Sequence, residues 1–121
     1  MMRCTQWAIV AMLAPVLLIV SACSARYTAP ITDAKGVTLR IHAPAAKTVS
    51  IVGSFNRWDR ERDRLNGLGK DGWWGITLPL PDGRHEYLFL IDGRIWFADP
   101  YAQATADDGL GGRNSVLYVA R

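Results

Sequence analysis

The chain has 121 residues, enough for one domain and no more. Its formal net charge is only +3, and the basic residues form no block, which argues against nucleic acid as a partner. Half of the residues are hydrophobic, but unevenly spread, and the two cysteines, Cys4 and Cys23, lie in or beside one apolar segment, so no disulfide framework is implied for the rest.

In chain order, Arg3 supplies a positive start, and residues 5–22 (TQWAIVAMLAPVLLIVSA) then carry no charge. The run ends in Val20-Ser21-Ala22-Cys23. A basic start, a short apolar core and small residues before a cut site describe a secretory signal peptide, here residues 1–22. A membrane-spanning helix needs about 20 apolar residues, and this run is short for one. Small residues directly before a cysteine resemble the bacterial lipobox. The resemblance implies cleavage before Cys23, a lipidated Cys23 thiol, and attachment to a membrane of the bacterial cell envelope as a periplasmic or outer-membrane lipoprotein. The alternative is an uncleaved signal anchor with an incidental cysteine. Residues 23–35 show no sustained period, contain Pro30, and read as a lipid-anchored linker.

From Gly36 onward the pattern is β. Val37, Leu39 and Ile41 alternate with Thr38, Arg40 and His42; Val49 and Ile51 alternate with Ser50 and Val52. Trp74, Ile76, Leu78 and Leu80 share one parity, Tyr87, Phe89 and Ile91 share a face, and Ser115 to Val119 is a last apolar run. Pro81-Asp82-Gly83 reads as a tight hairpin turn, and Asp92-Gly93 as another. Arg57 to Leu65 alternates charges without an apolar stripe and reads as an exposed loop or a single turn. Short strands separated by turn signals predict an all-β antiparallel sandwich over residues 36–121.

Five fragments then stand in order: VSIVGSFNRW from Val49, DGWWGITLPL from Asp71, PDGRHEYLFLIDG from Pro81, Trp96 with Asp99-Pro100, and GRNSVL from Gly112. Together they resemble the carbohydrate-binding module 48 family, also known as the isoamylase N-terminal (early set) domains, which includes the glycogen-binding domain of the AMP-activated kinase β subunit. The resemblance spans about Val37 to Val119. It implies an immunoglobulin-like sandwich that binds α-1,4-glucan (glycogen, starch or maltodextrin) without catalysis and without a cofactor.

The site residues follow from that resemblance. Trp58 and Trp96 match rings on which the C–H faces of glucose stack, and Asn114 matches an asparagine that hydrogen-bonds sugar hydroxyls. Two of them also have a structural reading: Trp58 as a cover for the core's edge, Asn114 as turn chemistry. Ile95 makes the turn before Trp96 one residue longer than in the kinase-type modules, which bears on where the Trp96 ring points. Trp73, adjacent to the inward Trp74, faces outward; it either widens the aromatic surface or lies under a loop. Those modules carry a lysine directly after the tyrosine of the HxYxF stretch, and here that position is Leu88. Arg84, Arg94 and Arg113 are the arginines weighed as its replacement. Gly53 suits a sharp turn at a strand end, Asn56 suits a side-chain tie across it, and His85 and Tyr87 read as structural, Tyr87 inward.

The two histidines, His42 and His85, stand in no metal-ligand spacing, and Ser54 stands in no nucleophile elbow. Asp107-Asp108-Gly109 lacks the further ligands of a calcium loop and reads as a polar turn. The leading expectation is an envelope-anchored α-glucan module, not an enzyme. Its rival is an early-set module that keeps the fold and binds an envelope protein instead of a glycan.

Overall fold

The computed structural model describes residues 29–120; the segment expected to be a signal peptide, with Cys23, lies outside the described residues. Nine strands run in chain order: β1 (Ile31–Asp33), β2 (Gly36–His42), β3 (Val49–Gly53), β4 (Asn66–Gly67), β5 (Trp73–Leu78), β6 (Gly83–Ile91), β7 (Ile95–Phe97), β8 (Ala104–Asp107) and β9 (Arg113–Val119). They form two antiparallel sheets, one ordered β1-β2-β5-β4 and the other β3-β6-β9-β8, with β7 also paired to β6. The result is the expected sandwich.

Alternation built the first sheet. Val37, Leu39 and Ile41 are buried, while Arg40 and His42 stand outside. β5 pairs with β2 so that Trp74 lies opposite Ile41 and Ile76 opposite Leu39. Residues opposite one another in an antiparallel pair share a side, so Trp74 and Ile76 pack against the core while Trp73 and Thr77 face out with His42 and Thr38. In the second sheet Ile51, Tyr87, Phe89 and Leu117 close the same core from the other side.

Three features differ from the sequence reading. β1 falls inside the stretch expected to be a linker and pairs with β2, so the folded unit begins before Gly36. Pro81-Asp82-Gly83 is not a hairpin turn: β5 belongs to one sheet and β6 to the other. Pro79 and Pro81 offer no N–H to continue a ladder, Leu80 drops into the core, and the chain crosses between sheets. β3, finally, is buried along its whole length instead of alternating. Its free edge is covered by the end of the charged loop, where Ile51 N–H donates to Asp63 O (2.9 Å) and Leu65 N–H to Val49 O (2.8 Å), with Leu65 itself buried. The other turn behaves as expected. Asp92 (φ 53°) and Gly93 (φ 68°) turn β6 into β7 in the left-handed region, with Arg94 N–H donating to Ile91 O at 3.0 Å and three residues between the paired Ile91 and Ile95.

Candidate functional site

The outer face of the second sheet is unusually apolar. Val52, Leu90 and Val116 point away from the core and are buried nonetheless. On this floor stands β7. Trp96 lies opposite Leu90, so the register sends its ring to the outer face despite the longer turn before it. Phe97, one residue on, lies opposite the core residue Phe89.

Trp58 reaches the same surface from the loop after β3. The chain leaves Gly53 through a 3-10 turn, Ser54–Asn56, and must then reverse. Gly53 is needed because the strands approach closely: a Cβ there would lie 2.4 Å from Glu86 O. Asn56 is buried and locks the turn. Its Oδ1 accepts from Gly53 N–H (3.0 Å), and its Nδ2 donates to Ile51 O (3.0 Å) and to Asp63 Oδ2 (2.8 Å). Arg57 and Trp58 follow with φ of 58° each, the left-handed region, and Trp58 N–H donates to Gly53 O at 2.9 Å. Two successive non-glycine residues held there carry backbone strain, which concentrates at functional sites.

The third wall is the loop between β8 and β9. Asp108 Oδ1 accepts from Leu110 N–H (2.7 Å) and Gly112 N–H (3.0 Å), with Gly109 and Gly111 at positive φ. This is a self-tied polar turn, as its sequence suggested. It presents Leu110 with 91% of its surface exposed.

Trp58, Leu88, Trp96, Asp108, Leu110 and Asn114 thus line one open concavity of about 570 Å³. Trp58 and Trp96 are 40% and 42% exposed. Asn114, on β9 opposite the small Ala106, is only 9% exposed, and among the described residues its side chain forms no hydrogen bond within the protein. A buried amide that borders a cavity without a partner is suited to a ligand. Exposed rings, an apolar floor and an amide can stack and hydrogen-bond a polyhydroxylated ring.

The structure therefore brings together Trp58, Trp96 and Asn114, three of the four residues singled out from sequence. It does not bring Trp73 to them. Trp73 stands on the outer face of the other sheet, its ring 5.0 Å from that of His42 and tilted by 39°. None of the arginines weighed as replacements at Leu88 lines the concavity. Arg84 binds Glu86 (3.1 Å), Arg113 binds Thr105 (2.8 Å to Oγ1, 3.2 Å to the carbonyl), and Arg94 borders another surface recess beside Lys47 and Asp92. The cation near the site is Arg60, with its guanidinium carbon 5.1 Å from the centroid of the Trp96 ring. Sequence reading missed Arg60 and Leu110. The signal for Arg60 was the charged run beside Trp58; the signal for Leu110 was an isolated apolar residue in a glycine-rich turn.

Behind the site, Tyr87 and His85 are structural. His85 Nε2 contacts Pro81 O at 2.7 Å, and its ring meets Phe55 edge-on. Tyr87 donates its phenol proton to Asp99 Oδ2 at 2.7 Å. Asp99 also accepts from Tyr101 N–H (2.9 Å), and its own N–H donates to Ser115 Oγ (2.8 Å). Burial raises both ionisations: the Tyr87 phenol is pushed far above its ordinary value, and the Asp99 carboxyl rises although the hydrogen bonds from Tyr87 and Tyr101 pull it back. No group of three His, Cys, Asp or Glu is placed to hold a metal ion among the described residues.

Comparison with known proteins bears on this geometry. The profile of carbohydrate-binding module 48 (isoamylase N-terminal domain) matches residues 25–102. The 1,4-alpha-glucan branching enzymes GlgB of Bacillus cereus (strain AH820), Bacillus anthracis and Bacillus thuringiensis subsp. konkukian are each 36% identical over 74 residues. That stretch is 58% of this chain and only 12% of each relative. The profile contains Trp58, Trp73, Leu88 and Trp96; Leu110 and Asn114 lie beyond its end.

Proposed function

The chain belongs to the carbohydrate-binding module 48 family, and from that premise we propose that it is a non-catalytic module for α-1,4-glucan, held on the bacterial envelope by a lipid on Cys23. One observation carries the glucan reading: two half-exposed tryptophans and an amide that forms no hydrogen bond among the described residues line the same concavity. Glycogen, starch or maltodextrin presents alternating apolar C–H faces and hydroxyls, which those groups complement. Affinity for one chain end is expected in the µM to mM range, roughly −8 to −4 kcal/mol. Many anchored copies on one polymer gain avidity.

Anchoring is supported by the uncharged run ending in Val20-Ser21-Ala22-Cys23. Acyl chains hold such a protein at about 0.8 kcal/mol per buried CH₂. The topology is compatible with it. The chain enters the sandwich through β1, in the first sheet, whereas the concavity lies on the outer face of the second, so a tether need not cover the binding surface. Cys23→Ser is expected to abolish lipid labelling and leave an unprocessed precursor; a variant still lipidated and matured to wild-type size refutes the anchor.

A protein partner is the second reading, favoured by Leu88 and the fully presented Leu110, which make the concavity more apolar than a sugar requires. Calorimetric titration of the full chain with maltoheptaose, in a detergent that carries no sugar headgroup, decides between them. Heat of binding that Trp58→Ala and Trp96→Ala abolish supports glucan. No binding at millimolar maltoheptaose gives the concavity to a protein.

A further inference from the structure

We infer that the domain carries a second α-glucan site, on the outer face of the first sheet, around Trp73, Arg40 and Tyr101. The inference rests on the glucan reading above but uses none of its residues.

Two concavities, of about 210 and 230 Å³, adjoin on that face and share Arg40. The first lies where the sheet meets the chain after β7, with Trp73, Phe97 and Tyr101 as its aromatic walls. The second continues across the sheet and is lined by Thr38, Thr77 and Asn66 beside Leu68. Its floor at Gly75 is covered by side chains: a Cβ there would meet Leu68 Cδ1 at 2.8 Å and Arg40 Cγ at 3.5 Å. At the aromatic end the His42 ring lies tilted beside that of Trp73, and His42 Nε2 contacts Asp71 O at 2.8 Å. Tyr101 is held through its N–H by Asp99, yet its side chain stands 54% exposed.

The lining chooses the ligand. Among the described residues, Arg40 is the only formally charged side chain of the lining and no carboxylate joins it, so neither a cation nor a polyanion is matched. Aromatic rings lead into hydroxyl and amide groups, the order in which a glucan chain presents C–H faces and hydroxyls. Thr38 and Thr77 share one hydrogen bond between their hydroxyls (2.8 Å), which uses one of the two protons and leaves the other for a ligand. Arg40 offers donors from a planar, permanently charged group. With this site on one sheet and the Trp58–Trp96 concavity on the other, a single domain can bridge two glucan chains or two branches of one polymer.

Indole N–H resonances separate the two sites. In the full chain, in a detergent without a sugar headgroup, maltoheptaose is expected to shift the Trp73 signal as well as those of Trp58 and Trp96. The Trp74 indole, bonded to Ala43 O at 3.0 Å, serves as a reference. The Trp73 shift should persist in the Trp58→Ala/Trp96→Ala double variant. Arg40→Ala and Tyr101→Ala, both at exposed side chains, should each weaken the affinity reported by Trp73 by about tenfold, while leaving that reported by Trp58 unchanged. If Trp58 and Trp96 respond and Trp73 does not, or if the Trp73 shift vanishes in the double variant, the second site is refuted and the first stands. If Trp73 alone responds, the Trp58–Trp96 concavity is not a sugar site and the glucan reading rests on this second face. If no indole responds at millimolar sugar, both fall and the face is left to a protein.

Discussion

The Tyr87 phenol donates to Asp99 Oδ2 at 2.7 Å, joining the floor of the core to the connection that follows Trp96. Because Asp99 also takes the Tyr101 amide proton, this pair fixes the chain between the two proposed sugar-binding surfaces.

That bond predicts an alkaline limit. Burial holds the Tyr87 phenol protonated in the folded state, far above its ordinary value. The unfolded phenol ionises near pH 10. The stabilisation is therefore complete below about pH 10 and is lost as pH rises beyond it. Asp99, also raised by burial, has the same sign at the acid end: its contribution is full below the ordinary carboxyl range and declines as pH rises through its higher folded value. Denaturant midpoints between pH 7 and 11 should fall for wild type. Tyr87→Phe should cost about 1–3 kcal/mol at pH 7, by leaving the buried Asp99 Oδ2 without the phenol donor, and should flatten the alkaline fall. A fall of equal steepness in the variant assigns the limit to other groups.

Trp58 allows binding and strain to be separated. Its φ of 58° is unfavourable for any side chain with a Cβ, by roughly 1–2 kcal/mol. Trp58→Ala and Trp58→Gly remove the same ring, but only glycine relieves the backbone. Both should lose maltoheptaose binding, while the glycine variant melts higher than the alanine variant by the equivalent of about 0.5–1 kcal/mol. Equal melting temperatures show that the loop is not left-handed at this residue in solution.

Trp74 tests the core. It is half-buried, packs on the core cluster, and donates its indole N–H to Ala43 O at 3.0 Å. Truncation of a fully buried Trp costs about 3–5 kcal/mol, so Trp74→Ala should cost less, about 2–3 kcal/mol. Trp74→Phe should cost about 1 kcal/mol, chiefly the hydrogen bond. A loss below about 1 kcal/mol for the alanine variant removes Trp74 from the core.

Much of this was legible from residue order because period-two alternation names the inward side of each strand without naming its neighbours. It placed Val37, Leu39 and Ile41 inward and separated Trp73 from Trp74. What it lacks is the sheet to which a strand belongs. Pro81-Asp82-Gly83 carries hairpin residues yet joins two sheets, because prolines on both sides of Leu80 stop the ladder. The same gap applies to Trp73: an outward ring is visible in the sequence, but which of two outer faces it occupies depends on long-range pairing. Arg60 was hidden in a run of charges, since its contact with Trp96 depends on how the loop folds back.

Leu88 is where the glucan reading is most exposed to refutation. It lies in the concavity, beside Trp96 and Asn114, at the position where the resemblance places a sugar-contacting lysine. Its side chain is half-buried on the outer face, so a lysine can keep its stem on the apolar floor while the ammonium reaches solvent. Leu88→Lys is therefore expected to change the melting temperature little. A hydrogen bond from a charged donor contributes about 1.5–3 kcal/mol, so affinity for maltoheptaose should rise by roughly tenfold or more. Arg60 lies over the Trp96 ring that borders the same concavity and adds a like charge to that side, so Leu88→Lys/Arg60→Ala should bind at least as tightly as Leu88→Lys alone. The measurement is calorimetric titration of the three proteins at low and high salt. If Leu88→Lys leaves affinity unchanged while Trp58→Ala and Trp96→Ala abolish binding, the sugar stacks on the rings but passes clear of β6. If Leu88→Lys weakens it, the ligand buries an apolar group against this residue, and the concavity is built for a protein side chain.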